Sequence, residues 1–513
     1  MSSDVCSSDL GVMTAYNDID GVPCSANEWL IKNILRGAWH FDGVVVSDLY
    51  AINGLVSSRM AADYKEAAAQ ALKAGVDIDL GASCYSQPLV QALKEGLVSE
   101  KELDEAVRHV LMYKFKLGLF DKSYADFKPS DNEKFKTDFT FDVLNRQAAT
   151  ESVVLLRNDE SIPVLPLSKD VKRVAVIGPN ADNIYNMLGD YTAPQAAGEV
   201  VTLLQGIRNK LPNAEIRYVK GCAIRDMLWE EIDKAVATAR WAEVVIVALG
   251  GSSARDFRTS YKETGAADAT AQTVSDMESG EGFDRATLSL MGYQEQLMEA
   301  LAKTGQPIVL VMIQGRPLDL SWADYTDVAI LNAWYPGAQG GNALADLIFG
   351  DANPSGKLPV SYPRSVGQLP IYYNASNHRN NYTDESGQPL YPFGFGLSYT
   401  TFSFTDMNVA QKTDSVTVSF TLTNTGDRDG AEVAQLYLRQ EKASVVRPER
   451  QLIAFEKVFL KRGESKRVTM RLSKDDFSFM DIDGKLKFEP SEYTLMLGSS
   501  SQNIHLEKKI ILD

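Results

Sequence analysis

Two acidic positions have the setting that carboxylate chemistry needs. Asp48 closes the run GVVVSDL, so an apolar strand ends on a carboxylate. A group placed there faces the mouth of a sheet, where partial desolvation leaves it reactive as a nucleophile. Glu281 stands in ESGEGFDR with a glycine on each side, and glycine lets the backbone approach a ligand closely. Asp284 and Arg285 nearby could fix charge and orientation. Read alone, Asp48 is explained as well by capping of the following helix, and Glu281 by a solvated acidic loop. Read together they fit cleavage of a glycosidic bond with retention. One ionised carboxylate attacks the anomeric carbon, and one protonated carboxyl ~5–5.5 Å away releases the leaving oxygen. Environment must drive the two pKa values apart. A loop that closes after substrate arrives can supply and desolvate the acid.

Other chemistries have less behind them. Gly250-Gly-Ser-Ser-Ala254 follows the strand-like VVIVALG, roughly where a nucleophile elbow would sit, but it lacks the closing glycine. VAVIGPN at Val174–Asn180 lacks the glycine spacing of a dinucleotide cradle. The four cysteines have no CxxC spacing and the four histidines no HExxH, so neither a metal nor another cofactor is expected. A net charge of −16 lacks the basic face that nucleic acid requires. No apolar run reaches the ~20 residues of a membrane span.

The elements that must hold these residues fall into three patterns. Gly11–Asn17, Gly43–Asp48 and Val76–Leu80 are apolar runs separated by helical stretches at Glu28–Arg36, Ala61–Ala74 and Ser99–Leu117. The last opens on the capping box Ser99-x-x-Glu102 and sets Leu103, Val107, Val110 and Leu111 on one face. Such alternation predicts a parallel sheet covered on both sides, with chemistry at the carboxyl ends of its strands. Tyr16, Asp48 and Asp79 lie at or near those ends. After a polar linker at 119–140, a helix over Phe141–Leu156 leads into a second α/β region. Its strands are expected at Val171–Ile177, Glu215–Val219, Val244–Leu249, Ile308–Ile313 and Val328–Asn332. The polar stretch Gly250–Leu290 interrupts it and exceeds ordinary loop length, which marks functional loops. From Phe402 the period becomes two, with Val416, Val418 and Phe420 alternating with polar residues, so a β-sandwich is expected.

Four segments in this order resemble glycoside hydrolase family 3. GVMTAYNDIDGVPCSANEWLIKNILR and GVVVSD resemble the surroundings of the family's nucleophile, and ESGEGFDRATLSL its acid/base loop. NAWYPGAQGGNALADLIFGDANPSGKLPVSYP resembles a signature of its second domain. ASVVRPERQLIAFEKVFLKRGES resembles its fibronectin type III-like domain. The resemblance implies Asp48 as nucleophile, Glu281 as acid/base with Glu278 as runner-up, and Tyr16 as a hydrogen-bond donor to the nucleophile. Leu49-Tyr50 stands where the family usually has a tryptophan after the nucleophile. Trp334 and Tyr335 could stack on a sugar face or serve as core.

The fold implied is α/β plus all-β. Residues 11–118 would be the C-terminal remnant of a (β/α)8 barrel, about its last three strands of eight. Residues 141–375 would be an α/β sandwich carrying the acid/base loop. Residues 376–401 would be a linker and 402–513 the fibronectin type III-like domain. Residues 1–10 read as a leader foreign to the fold, since DVCSSDL translates a common sequencing-adapter end, and a longer frame upstream is expected. The implied activity is that of a retaining, exo-acting β-glucosidase on small oligosaccharides or aryl glycosides, with β-xylosidase or a non-catalytic carbohydrate-binding fragment as alternatives. The implied location is periplasmic or secreted.

Overall fold

A computed structural model of the chain describes residues 10–81, 83–121, 139–159, 161–225, 231–254, 276–281, 284–325, 328–375 and 381–513. The expected leader, most of the expected 119–140 linker, the middle of the Gly250–Leu290 stretch and the start of the 376–401 linker lie outside the described residues. The chain forms two compact units, Met1–Thr137 and Asp138–Asp513.

In the first unit, β1 (Gly11–Thr14) and β2 (Val44–Ser47) pair in parallel, from Gly11 opposite Val44 to Thr14 opposite Ser47. The expected third strand at Val76–Leu80 is reduced to a parallel bridge between Val46 and Ile78. The reason is local. The side chain of Asp77 accepts the Val45 N–H at 2.8 Å, a donor that a continued ladder would give to a backbone carbonyl. Four helices follow, α1 (Ala51–Ser57), α2 (Tyr64–Ala74), α3 (Gln87–Lys94) and α4 (Glu100–Lys116). Before them, Trp29–Ala38 winds in wider turns, ending with the Trp39 N–H on the Ile34 carbonyl.

Helix α4 starts on the expected capping box of Ser99 and Glu102. Its buried face differs from the expected stripe. Ala106 and His109 are buried, whereas Val107 and Leu111 are 47% and 43% exposed. Asp77 accounts for the rotation. Its Oδ1 lies 2.8 Å from His109 Nδ1, and its Oδ2 accepts from Arg36 Nη2 at 2.7 Å. Arg108 Nη2 lies 3.2 Å from His109 Nε2. A guanidinium only donates, so Nε2 accepts and the ring proton sits on Nδ1, pointing at Asp77.

The second unit begins with α5 (Phe139–Ser152) and β3 (Val154–Arg157). The expected helix through Leu156 therefore stops four residues early. Val153, Val154, Leu155 and Leu156 are at most 2% exposed, and burial in a sheet edge outweighs helical continuation. Then come β4 (Arg173–Ile177), α6 (Leu203–Lys210), β5 (Glu215–Val219), α7 (Ile232–Trp241) and β6 (Val244–Gly250). They are followed by α8 (Gln294–Ala302), β7 (Ile308–Ile313), β8 (Val328–Trp334) and α9 (Gly340–Ile348). The sheet order is β3-β8-β7-β6-β4-β5, parallel except for β3. Alternate residues of one strand enter opposite cores. Val245, Val247 and Leu249 pack with Ala235 and Leu297, while Val244, Ile246 and Ala248 pack with Leu203 and Leu344. Both faces are covered, which is why these strands read as unbroken apolar runs.

Seven main strands then form a sandwich: β9 (Phe402–Lys412), β10 (Ser415–Asn424), β11 (Gly430–Gln440), β12 (Gln451–Leu460), β13 (Ser465–Ser473), β14 (Ser491–Gly498) and β15 (Ile504–Leu512). Its sheets run β9-β10-β13 and β12-β11-β14-β15. Val416, Val418 and Phe420 point into its core as their period of two requires. The ion pair Lys357–Glu432, at 2.7 Å and about one-tenth exposed, ties this sandwich to the α/β layers.

Asp77 collects a backbone N–H, a guanidinium and an imidazole while itself 2% exposed in its side chain. Asp77→Ala should therefore lower the unfolding free energy of the first unit by about 3–5 kcal/mol, the cost of stranding a buried charge. Urea denaturation followed by circular dichroism measures it.

Candidate active site

Asp48 follows β2 directly, at the carboxyl end of a parallel pair. It is half-buried, and its Oδ1 accepts the N–H of Leu49 at 2.7 Å. The cap of α1 is Tyr50, in the left-handed region at φ 60°, and no side chain makes the capping bond there. The carboxylate of Asp48 is thus not spent on the helix, which removes the structural explanation that the sequence left open. Tyr16 also comes to this end of the sheet. Its hydroxyl donates to the carbonyl of Leu49 at 2.6 Å, so the tyrosine secures the residue just beyond Asp48.

A second carboxylate, Asp79, stands one residue past the Val46–Ile78 bridge. Its Oδ2 accepts the Tyr85 N–H at 3.0 Å, and its Oδ1 is buried with no hydrogen-bond partner. Burial pushes its carboxyl above the usual range, against the lowering effect of the Tyr85 and Cys84 N–H groups. This strand-end acid is visible in the sequence only as a position.

In the second unit the site is built at the carboxyl edge of the six-stranded sheet. Strand β6 ends in Gly250, whose N–H donates to the buried amide of Gln294 at 2.9 Å. The next residue is Gly251, where a Cβ would sit 2.0 Å from Oε1 of Glu278 and displace that side chain. Glu278 is thus pressed onto the backbone, and its own N–H donates to the Ser252 carbonyl at 2.8 Å. Arg285 Nη1 donates to Glu278 Oε2. Burial raises the carboxyl of Glu278 above its ordinary range, and the arginines Arg285 and Arg316 pull it back without cancelling that rise. Glu281 lies three residues on and is half-buried. Glu278 therefore has the electrostatics of an acid, and Glu281 has the access.

Arg316 and Asn186, which sequence reading passed over, complete this edge with Tyr335, Ser252 and Ser253. Arg316, just after β7, pairs with Asp284 at 2.8 Å. Tyr335, just after β8, meets the Ser253 hydroxyl at 3.1 Å. Asn186 links Ser252 and Asn180 through bonds of 2.7 and 2.6 Å. Arg316 and Tyr335 stand just after the ends of apolar strands, which is their one signal in the sequence; Asn186, nine residues past β4, has none. Trp334 and Tyr335 both pack partly against the sheet cores, Trp334 at φ 54°. Among the described residues, no group of three or more His, Cys, Asp or Glu could hold a metal ion.

Family models match this chain in three places. The glycosyl hydrolase family 3 N-terminal domain matches residues 2–113, the family's C-terminal domain 153–399, and a fibronectin type III-like domain 432–501. A periplasmic beta-glucosidase of Salmonella typhimurium is 38% identical over 96% of this chain and 66% of its own length. A beta-xylosidase of Formosa agariphila is 36% identical over 96% of this chain and 67% of its own. The solved structure of a β-glucosidase from Erythrobacter marinus superposes with a TM-score of 0.89, at 36% identity, over all of this chain and 69% of that one. The chain belongs to glycosyl hydrolase family 3.

This family 3 chain spans about two thirds of the length of the relatives it matches. Its expected three-part architecture of family 3 N-terminal, α/β sandwich and fibronectin type III-like domains is what these matches describe. Leu49, which follows Asp48, lies against Gly81. Among the described residues no helix is long and apolar enough to cross a membrane.

The folded value of Asp79 lies above its unfolded one, so the folded state holds the proton more tightly. Stability contributed by this group is present in acid and is lost as pH rises from ~3.9 through the folded value. Asp79→Asn should gain stability relative to the parent chain between pH 4 and pH 7, read from urea midpoints at both. A constant difference across that range would show that the carboxyl is not raised.

Proposed function

We propose that this family 3 chain is a retaining, exo-acting β-glycosidase whose first substrates are β-linked glucosides. Asp48 attacks the anomeric carbon while Glu281 gives its proton to the leaving oxygen, and a glycosyl ester forms on Asp48. Glu281, now a carboxylate, takes a proton from water as that water displaces Asp48. The sugar leaves with its original configuration, and no cofactor is consumed.

The carrying observation is the setting of Asp48. It is a half-buried carboxylate at the carboxyl end of a parallel strand, with no capping duty, inside the motif that the family uses for its nucleophile. The half-buried Glu281 beside Arg285 and Asp284 supports the second role. Residues 11–118 would then carry the nucleophile, 141–375 the acid/base loop, and 402–513 the supporting sandwich. Glucose is preferred because relatives named as β-glucosidases occur among both sequences and structures. Xylose is the second reading, favoured by the Formosa relative. A periplasmic or secreted location follows the Salmonella relative's name alone.

The assay is run on this chain and on a chimera given the N-terminal segment of the Salmonella relative. In whichever form hydrolyses aryl β-glucosides, Asp48→Asn and Glu281→Gln should each lower kcat by about 10³-fold or more. Azide should rescue Asp48→Gly with an α-glycosyl azide and Glu281→Gly with a β-glycosyl azide. Full activity in Asp48→Asn, or hydrolysis by neither form, would sink the proposal. Comparing kcat/KM on aryl β-glucoside and aryl β-xyloside decides the sugar.

A further inference from the structure

Glu278 and Arg285 bracket Glu281 in sequence, and their side chains are only 3% and 4% exposed. Contacts hold the chain on both flanks of Glu281. Before Glu281, Arg225 Nη1 donates to the Met277 carbonyl at 3.0 Å, and the Glu278 N–H donates to Ser252 at 2.8 Å. After it, the Arg285 N–H donates to Asp284 at 2.8 Å, Arg316 pairs with Asp284 at the same distance, and Arg285 Nη2 donates to the Ser289 carbonyl. The two flanks are joined by the bond from Arg285 Nη1 to Glu278 Oε2.

We propose that the Glu278–Arg285 pair is a clasp that sets the position of Glu281, making Glu278 a positioning residue and not the proton donor. The proposal rests on the reading of Glu281 as acid/base. Oε2 of Glu278 is committed to the guanidinium, and the side chain is only 3% exposed. A donor to a leaving group must reach that group's oxygen at ~2.6–3.2 Å. A side chain held this way has no approach for one. Arg285 is equally committed, since both of its Nη atoms are in use. Removing either partner strands the other charge in the interior, which a buried pair does not tolerate. The guanidinium must then move toward water and take the Asp284–Arg285 flank with it. A displacement of ~1 Å at a catalytic group is enough to cost about 10²-fold in rate.

The first test needs no activity. Amide hydrogen exchange over residues 276–289 of the full chain should quicken at least ~10-fold in Glu278→Gln and in Arg285→Gln. The double variant should be no faster than either single, because one interaction is lost in all three. Exchange unchanged in both single variants would overturn the clasp. The second test separates positioning from proton donation, in a form that hydrolyses aryl β-glucosides. Glu281→Gln should spare kcat/KM on 2,4-dinitrophenyl β-glucoside, whose departure in the first step needs no proton, and lose it on phenyl β-glucoside, while kcat falls on both. Glu278→Gln should lose the same factor, about 10–10²-fold, on both substrates, with no rescue by azide. A kcat/KM loss confined to the poor leaving group, with azide raising kcat on the good one, would make Glu278 the acid and overturn the proposal. If no form cleaves any β-glycoside, the proposed function fails, and the exchange result still decides the clasp.

Discussion

The constraint behind the second unit is that a parallel sheet buried on both faces cannot place polar chemistry along its strands. Val244–Leu249 and Ile308–Ile313 are wholly apolar and at most 4% exposed. Helices α6 and α9 cover one face and α7 and α8 the other. Polar side chains are therefore exported to the carboxyl edge, where the chain turns out of the sheet. Gln314, Arg316, Tyr335, Ser252 and Ser253 all stand within three residues of a strand end. The segment carrying Glu278 and Glu281 is recruited to the same edge by backbone and guanidinium bonds.

The first unit solves a similar problem at the opposite end of its strands. Asp77 is nearly inaccessible, yet every one of its contacts is a donor: the Val45 N–H, the Arg36 guanidinium and the Nδ1–H of His109. A buried carboxylate is tolerable when donors replace water. The network locks α4 and the Trp29–Ala38 helix to the sheet at its amino end. The carboxyl end is left to Asp48, Asp79 and Tyr16. Stability and chemistry are thereby separated along the strand direction, as in barrel enzymes generally.

Electrostatics differ among the acidic groups for reasons that are local. Asp79 is raised because burial is answered by only two N–H groups. Glu278 is raised because burial outweighs two arginines. Lys210 shows the opposite balance: burial lowers it, but the carboxylates of Asp346 and Asp351 outweigh that effect and hold its ammonium above the usual lysine value. Desolvation acts on every buried group, and the sign follows from whether the partners' combined effect outweighs it.

The strands at Glu215–Val219 and Ile308–Ile313, the helix α4 capping box and the alternation through Phe420 were legible because each depends on neighbours within a few residues. So was the candidate pair Asp48 and Glu281, because a glycine or an apolar run beside a carboxylate is a local pattern. What was not legible involved a choice between competing partners far apart in sequence. The helix expected through Leu156 yields to a strand because β8 pairs with it from more than 170 residues away. The face of α4 turns because His109 meets Asp77, which no periodicity records. The sequence by itself determined the family, the architecture and the acidic residues available for chemistry. Only the tertiary structure decided that Glu278 is buried against Gly251 and Arg285 while Glu281 retains access, because burial is a property of what packs around a residue and not of the residue's neighbours in the chain.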